Sequence, residues 1–320
     1  MGVDFLSNAV IKVNSTIALK MKEFYSSSLT EKIPQGGLFV AKLPNCTITA
    51  YKSGKVLFQG SGAESESSRW GSNEPSTNKK KSSDKPKSTT IYSPPQNIST
   101  LSIIGSDEVG TGDYFGPMTV AAAYVSNKNL SLLQELGVKD SKNLTDKQIV
   151  EIAKNIIKVI PYSLLILHNE KYNTLQESGM SQGKIKAYLH NQALNNVVEK
   201  LKPEKADGIL IDQFAQPGVY FNYLVGKSVN KENVYFSTKA EGVHLAVAAA
   251  SIIARYAFVK EFEKLSERAG FEIPKGAGQK VDMAAANLIQ KHGLSSLRTF
   301  TKLHFANTEK AKSLLSKKRS

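Results

Sequence analysis

Leu101–Met118, LSIIGSDEVGTGDYFGPM, sets an apolar run directly against two adjacent acids and a glycine-rich reversal. Leu101, Ile103 and Ile104 have the character of a buried strand, and Asp107 with Glu108 follows at its end. Neighbouring strand residues point to opposite faces, so one carboxylate can address a site on the sheet while the other leans across its end. Gly110, Gly112, Gly116 and Pro117 then turn the chain tightly, and Thr119–Val125 (TVAAAYV) resumes an apolar strand, which predicts a hairpin with exposed backbone at its turn. Two readings of the acids stand side by side. They hold hard divalent cations beside a turn that lets a polyanion approach main-chain amides, or they form an exposed acidic turn.

Beyond this hairpin, the chain of 320 residues is long enough for two domains, and 41% apolar content supports real cores. The single cysteine, Cys46, excludes an intrachain disulfide and argues against a thiolate zinc site. A reducing, cytoplasmic setting is therefore expected. No apolar stretch has the length of a membrane span, and the first residues lack the basic head and apolar core of a signal peptide. A net charge of +14 points to a polyanionic partner such as nucleic acid.

Taken in order, residues 9–28 place Val10, Val13, Ile17, Met21 and Phe24 at spacings of three and four, which predicts one amphipathic helix. Three short strands follow, LFVAKLP, CTITAYK and KVLFQG, the last two joined by a Ser53-Gly54 hairpin turn. This makes a small α+β domain over residues 1–65 whose free sheet face can carry Lys42, Lys52 and Lys55; a purely structural or dimerisation role is the alternative. Residues 66–98, rich in Ser, Lys and Pro, read as a flexible linker, and residues 99–320 as the larger α/β domain.

Within the larger domain, Leu130–Leu136 is a short helix, and Thr145 caps a second helix carrying Ile149, Ile152, Ile156 and Val159 on one face. The loop before it offers the Ser141 hydroxyl and the Lys142 ammonium, either to a phosphate or as a plain polar turn. After a strand at Tyr162–Leu167 and a helix over Ser181–Leu201, Ile209, Leu210 and Ile211 deliver Asp212 to the end of a buried strand. Glu241 precedes the long Ala-rich helix that contains AVAAASIIA, where the helix dipole alone could account for an acid. His244 is expected to pack rather than to catalyse. Asp107, Glu108, Asp212 and Glu241 thus end buried elements, and four converging carboxylates would call for Mg²⁺ or Mn²⁺, a pair of which is suited to phosphodiester cleavage.

SDEVGTGDYFGP, GVKDSKNLT, ILIDQF and KAEGVHLAVAAASIIAR occur in the order seen in type 2 ribonucleases H. From Leu101 to about Phe305 the chain resembles the ribonuclease HIII branch of that family. The resemblance implies a ribonuclease H-like fold, a central mixed sheet flanked by helices, that cuts the RNA strand of RNA/DNA hybrids and leaves 5′-phosphate and 3′-hydroxyl ends. The family's catalytic, metal-binding acids map onto Asp107, Glu108, Asp212 and Glu241, with two divalent ions, Mg²⁺ or Mn²⁺, and Asp107 bridging them. Gly110, Thr111 and Gly112 correspond to the backbone that contacts ribose 2′-hydroxyls, with Ser141, Lys142, Lys42, Lys52 and Lys55 as further substrate contacts. The N-terminal module, through YKSGKVLFQG, resembles the TATA-binding-protein-like domain that grips the hybrid. A monomer with no membrane association is implied. Against the ribonuclease HII branch, this chain has Gly110-Thr111-Gly112 where that branch has Gly-Arg-Gly, and Ala277 where it has the tyrosine of a KGYG loop. Losing the ring that stacks at an RNA-to-DNA junction argues against incision at a single ribonucleotide.

Overall fold

In a computed structural model the chain separates into two units, residues 1–86 and 87–320. The residues it describes are 8–34, 37–52, 54–70 and 91–317. The smaller unit holds strand β1 (Asn8–Lys12), helix α1 (Ser15–Phe24), strands β2 (Gly37–Leu43), β3 (Cys46–Tyr51) and β4 (Lys55–Gln59), and helix α2 (Ala63–Ser68). Its antiparallel sheet runs β1-β4-β3-β2. Alternation gives the sheet two faces: Phe39, Ala41, Ile48, Ala50, Val56 and Phe58 pack with Ala18 and Met21 of α1.

The single helix expected over residues 9–28 is therefore a strand followed by a helix. Val10 pairs with Leu57 across β1 and β4 and is 58% exposed, while Ala9 and Ile11 face the core. Asn14 divides the two elements, because its side chain accepts from the Ile17 amide at 2.9 Å and starts α1. Strand alternation and helical spacing coincide over so short a run, and pairing with β4 decides between them.

The expected domain limit at residue 65 and linker of 66–98 also shift at both ends. Residues 63–68 are helical, and the Trp70 indole donates to the Tyr25 hydroxyl at 2.7 Å, which in turn donates to Glu66 at 2.8 Å. At the far end Tyr92 packs on Phe221 and Phe236, and Ile98 is buried. The tract Lys79-Lys80-Lys81 lies outside the described residues, as does Ser53 of the expected hairpin turn.

The larger unit contains β5 (Ile103–Val109), β6 (Met118–Val125), α3 (Leu130–Glu135), α4 (Asp146–Ile156), β7 (Tyr162–Leu167), α5 (Asn169–Glu177) and α6 (Gln182–Leu201). It continues with β8 (Gly208–Asp212), α7 (Pro217–Tyr223), β9 (Val234–Ser237), α8 (Leu245–Ala269), α9 (Gln279–His292), α10 (Leu297–Phe300) and α11 (Asn307–Lys317). The five-stranded sheet is mixed, in the order β7-β6-β5-β8-β9. β5 is central, antiparallel to β6 and parallel to β8. Thr145 closes a capping box with Gln148 at the start of α4, as its sequence predicts.

Each sheet face carries its own core. Ile103, Ala121, Ala123 and Leu210 meet the alanines of α8, while Ile104, Val120, Ala122 and Ile211 meet Ile185, Leu194 and Val197 of α6. α8 lies directly on β5 because Gly105 has no side chain: a Cβ there would strike the backbone of Ala246 and Val247. A third core forms where Tyr114 and Phe115 of the β5–β6 turn meet Phe258 and Phe262 of α8 and the C-terminal helices. His244 is 3% exposed and caps α8, its Nδ1 accepting from the Ala246 amide at 2.9 Å while Nε2 lies 3.1 Å from the Leu101 carbonyl. Burial lowers its pKa, consistent with a neutral ring that packs. Among the described residues no helix is long and apolar enough to cross a membrane.

Candidate active site

The end of β5 sorts its side chains between the two helical layers. Gly105 and Asp107 point toward α8, where Ser251 stands beside the Asp107 carboxyl, whose Oδ1 accepts from the Glu108 amide at 2.7 Å. Ser106 and Glu108 point toward α6: the Ser106 hydroxyl lies 2.9 Å from His190 Nδ1, and Glu108 takes His190 Nε2 at 2.9 Å and Lys186 Nζ at 2.8 Å. Asp212 ends the parallel neighbour β8 and accepts from the Ala240 amide at 2.8 Å. Glu241 sits in the single turn ahead of α8, accepting from the Ser141 amide at 2.7 Å with Lys142 Nζ 3.3 Å away.

The electrostatics show that these acids share one neighbourhood. Burial first, and then the charges of Glu108, Asp212 and Glu241, hold the Asp107 carboxyl well above the usual carboxylate range. Asp212 is also raised, chiefly by burial, against the opposing hydrogen bond from Ala240. Glu108 behaves in the opposite way. Burial alone would raise it, but His190 and Lys186 hold it down at about 2. A group of carboxylates that includes one reluctant to ionise has surplus negative charge to offer a cation.

The donor set is all oxygen, the chemistry hard divalent cations require. It is not closed into a shell. Among the described residues no three His, Cys, Asp or Glu side chains are gathered as a ready-made ion site, since Glu108 and Glu241 each turn to protein donors. In donor type and charge, Asp107, Glu108, Asp212 and Glu241 fit Mg²⁺ or Mn²⁺.

The loop expected to contact substrate lies at the same place. Ser141 is buried, its hydroxyl 3.0 Å from that of Ser251, and Arg255 of α8 donates to its carbonyl while forking onto Asp146. Lys142 beside it is exposed. Its pKa is raised, because the charges of Glu241 and Asp140 outweigh the lowering by burial. On the other side, Gly110 is buried with φ of 93°, and Gly112 is exposed with open space where a Cβ would stand. The Thr111 carbonyl accepts from Gln182 Nε2 at 3.2 Å, but the Thr111 and Gly112 amides make no hydrogen bond among the described residues. The KGAG loop is pinned beside this turn, since the Gly276 amide donates to Asp113 Oδ1 at 2.6 Å and the Tyr114 amide donates to the Gly276 carbonyl at 2.9 Å. Ala277 is exposed on it. Lys42 and Lys55 belong to the smaller unit, on strand positions that alternate with the buried Ala41 and Val56, and Lys52 lies in the turn after β3; all three are exposed.

Sequence reasoning passed over the partners of these residues. Lys186 and His190 stand four apart on α6, a spacing that puts both on one face beside β5, and a polar pair amid inward-facing residues was the available signal. Phe214, two residues past Asp212, completes their surroundings with its ring centroid 4.8 Å from that of His190 and 4.4 Å from Lys186 Nζ. Ser251 carried no signal beyond being the one hydroxyl in an alanine run.

Comparison with known proteins finds named relatives of this chain. Residues 104–308 match the family described as Ribonuclease HII, and residues 8–83 match a domain of unknown function, DUF3378. The chain is 64% identical over 315 residues to Ribonuclease HIII of Bacillus subtilis (strain 168), covering 98% of this chain and 100% of that one. Ribonuclease HIII of Bacillus pumilus (strain SAFR-032) is 61% identical over 310 residues, covering 97% and 100%. Among solved structures, Bst-RNase HIII in complex with Mn²⁺ superposes with a TM-score of 0.69 at 45% identity, over 97% of this chain and 100% of that one.

Proposed function

The chain belongs to the ribonuclease HII family, and from that premise we propose that it is an endoribonuclease of the ribonuclease HIII type, hydrolysing the RNA strand of RNA/DNA hybrids at Asp107, Glu108, Asp212 and Glu241. One observation carries the reading. Asp107, whose burial and three neighbouring acids raise its pKa, lies three residues before a glycine turn whose Thr111 and Gly112 amides make no hydrogen bond among the described residues. Phosphate chemistry needs the first feature and recognition of ribose oxygens can use the second.

Water adds to the phosphorus, the P–O3′ bond breaks, and O3′ leaves with a proton, giving a 5′-phosphate and a 3′-hydroxyl. Two divalent ions, Mg²⁺ or Mn²⁺, supply neutralisation of the phosphate charge and activation of that water when bound. The protein's share is placement. Lys186 and His190 fix the Glu108 carboxylate from two directions, Ala240 fixes Asp212, and Ser141 fixes Glu241. Lys142, exposed beside Glu241, supplies a cation to a backbone phosphate, and the Gly110–Gly112 turn offers amides to ribose 2′-oxygens. The smaller unit grips the hybrid through Lys42, Lys52 and Lys55, in keeping with the net charge of +14. A cytoplasmic monomer suits the lone cysteine and the lack of any membrane-length helix among the described residues.

The test is a labelled RNA/DNA hybrid and a DNA duplex bearing one ribonucleotide, each incubated with Mg²⁺, Mn²⁺ or chelator. Cleavage of the hybrid alone, abolished by chelator, is expected, because Ala277 provides no ring to stack at a lone junction. Comparable rates on the two substrates would move the protein to ribonuclease HII behaviour. Stacking is worth about 1–3 kcal/mol, so Ala277→Tyr gains at most partial activity on the second substrate.

A further inference from the structure

Lys302 is a lysine with no exposed surface, although nothing in the chemistry above uses it. Its Nζ donates to the main-chain carbonyls of Asp113 at 2.8 Å and Gly116 at 2.6 Å. The Asp113 carboxylate, whose charge favours the ammonium, gives Oδ1 to the Gly276 amide, and among the described residues Lys302 forms no ion pair. Burying an ammonium without an ion pair is costly, and an apolar side chain of similar length would fill the same space more cheaply. The placement therefore asks for a reason beyond packing.

The reason lies in what Lys302 holds. The segment 300–302 is laid against 114–116 by three contacts: the Gly116 amide donates to the Phe300 carbonyl, the Lys302 amide donates to the Tyr114 carbonyl, and Phe115 bridges Thr301. Asn169 joins Lys302 on the Gly116 carbonyl at 2.8 Å. On the other side of the exposed Gly112, Gln182 Nε2 is hydrogen-bonded to the Thr111 carbonyl and, at 3.0 Å, to the Tyr172 hydroxyl, whose ring lies 5.9 Å from Lys302 Nζ. The Gly110 carbonyl is met by the Asp113 amide at 3.4 Å. The acceptors of the turn at 110, 111, 113 and 116 thus have protein donors, while among the described residues the amides of Thr111 and Gly112, and the Gly112 carbonyl, have no partner.

We propose that Lys302, with Gln182 beside it, is a positioning residue for ribose recognition: the two hold the carbonyls of the 110–116 turn inside the protein, so that the turn offers amide donors to the acceptor oxygens of the RNA strand. This rests on the reading of that turn as the element that contacts the hybrid. Releasing the Thr111 carbonyl lets the peptide that carries the Gly112 amide rotate and replaces a donor by an acceptor, which a 2′-oxygen or a phosphate oxygen meets less well, while releasing the Asp113 and Gly116 carbonyls frees the limb of the turn that Lys302 anchors.

The experiment compares wild type and Lys302→Met by fluorescence anisotropy in EDTA with an RNA/DNA hybrid and a DNA duplex of the same sequence, and by steady-state cleavage of the hybrid. Hybrid affinity falls about tenfold and KM rises about tenfold, while kcat stays within about twofold and DNA duplex affinity does not change. Equal weakening on both duplexes, or a fall in kcat with KM unmoved, reduces Lys302 to a structural role and overturns the proposal. Should Lys302→Met not fold, Gln182→Leu carries the test, with hybrid affinity lowered about threefold and DNA affinity unchanged; unaltered hybrid affinity overturns the shared frame. Wild type that fails to prefer hybrid over DNA duplex faults the reading of the turn itself, not the part given to Lys302.

Discussion

With Glu108, Asp212 and Glu241 in electrostatic reach and almost no solvent, Asp107 holds its proton far more readily than an ordinary aspartate. A raised folded pKa contributes stability that is full below the unfolded value, about 3.9, and lost as pH rises through the folded one. Asp107→Asn removes that loss. In chelator at neutral pH the variant is expected to melt at least about 2 °C above wild type and to bind hybrid within a few-fold of it; with Mg²⁺ or Mn²⁺ added it is expected to cleave at least about a thousandfold more slowly, because an amide is a poor ligand for hard cations. A lower melting temperature with cleavage retained would falsify the metal-site assignment. Lys302 gives the opposite pH dependence. Burial lowers its pKa from 10.5 to about 7, so between those values the unfolded chain binds more protons and stability rises with pH. The slope approaches about 1.4 kcal/mol per pH unit. Urea unfolding at pH 7 and pH 9 should therefore show wild type gaining about 2 kcal/mol relative to Lys302→Met, and parallel changes in the two proteins would rule out a lowered pKa for Lys302.

At the scale of elements, the contact between β5 and α8 sets the site, since one carries Asp107 and the other begins just after Glu241. Gly105 permits that contact, and Gly105→Ala drives a Cβ into the Ala246–Val247 backbone. Neither element can yield without moving one of the acids proposed to hold the metal ions. Destabilisation of about 3 kcal/mol by urea unfolding is expected, with cleavage reduced far more than hybrid binding; a variant as stable as wild type would show that the two elements can separate cheaply. Most elements were legible from periodicity, including β5, β8, α4 with its Thr145 cap, and the long Ala-rich helix. Residues 9–28 were not. Apolar residues at Val10, Val13 and Ile17 satisfy a helix, and only pairing with β4, more than forty residues on, makes Val10 part of a strand.

At the scale of the molecule, the proposed function divides chemistry and grip between separate units. The acids all lie in residues 87–320, and among its described residues the smaller unit carries exposed lysines without a candidate metal site. Deleting residues 1–86 is expected to weaken hybrid binding at least about tenfold while kcat at saturating hybrid changes by less than about threefold, and to flatten the salt dependence of binding as phosphate contacts are lost. Anisotropy across a salt series with steady-state rates checks this, and a truncated enzyme that binds as tightly as the full chain would leave the smaller unit without this role. The cut belongs at 86, since α2 and Trp70 pack into the smaller unit beyond the limit of 65 that composition suggested.

The acids, the glycine turn, the buried strands that deliver them and the family itself could be read from the sequence, because each is a local pattern of polarity or a short motif. Tertiary structure decided which donors those groups face. Glu108 turns to Lys186 and His190, roughly eighty residues away, and Lys302 reaches the Asp113 and Gly116 carbonyls from nearly two hundred residues on. No periodicity encodes such partners. A buried charge is stabilised by whatever packing brings within 3 Å of it, and that distance is set only when the helices close on the sheet.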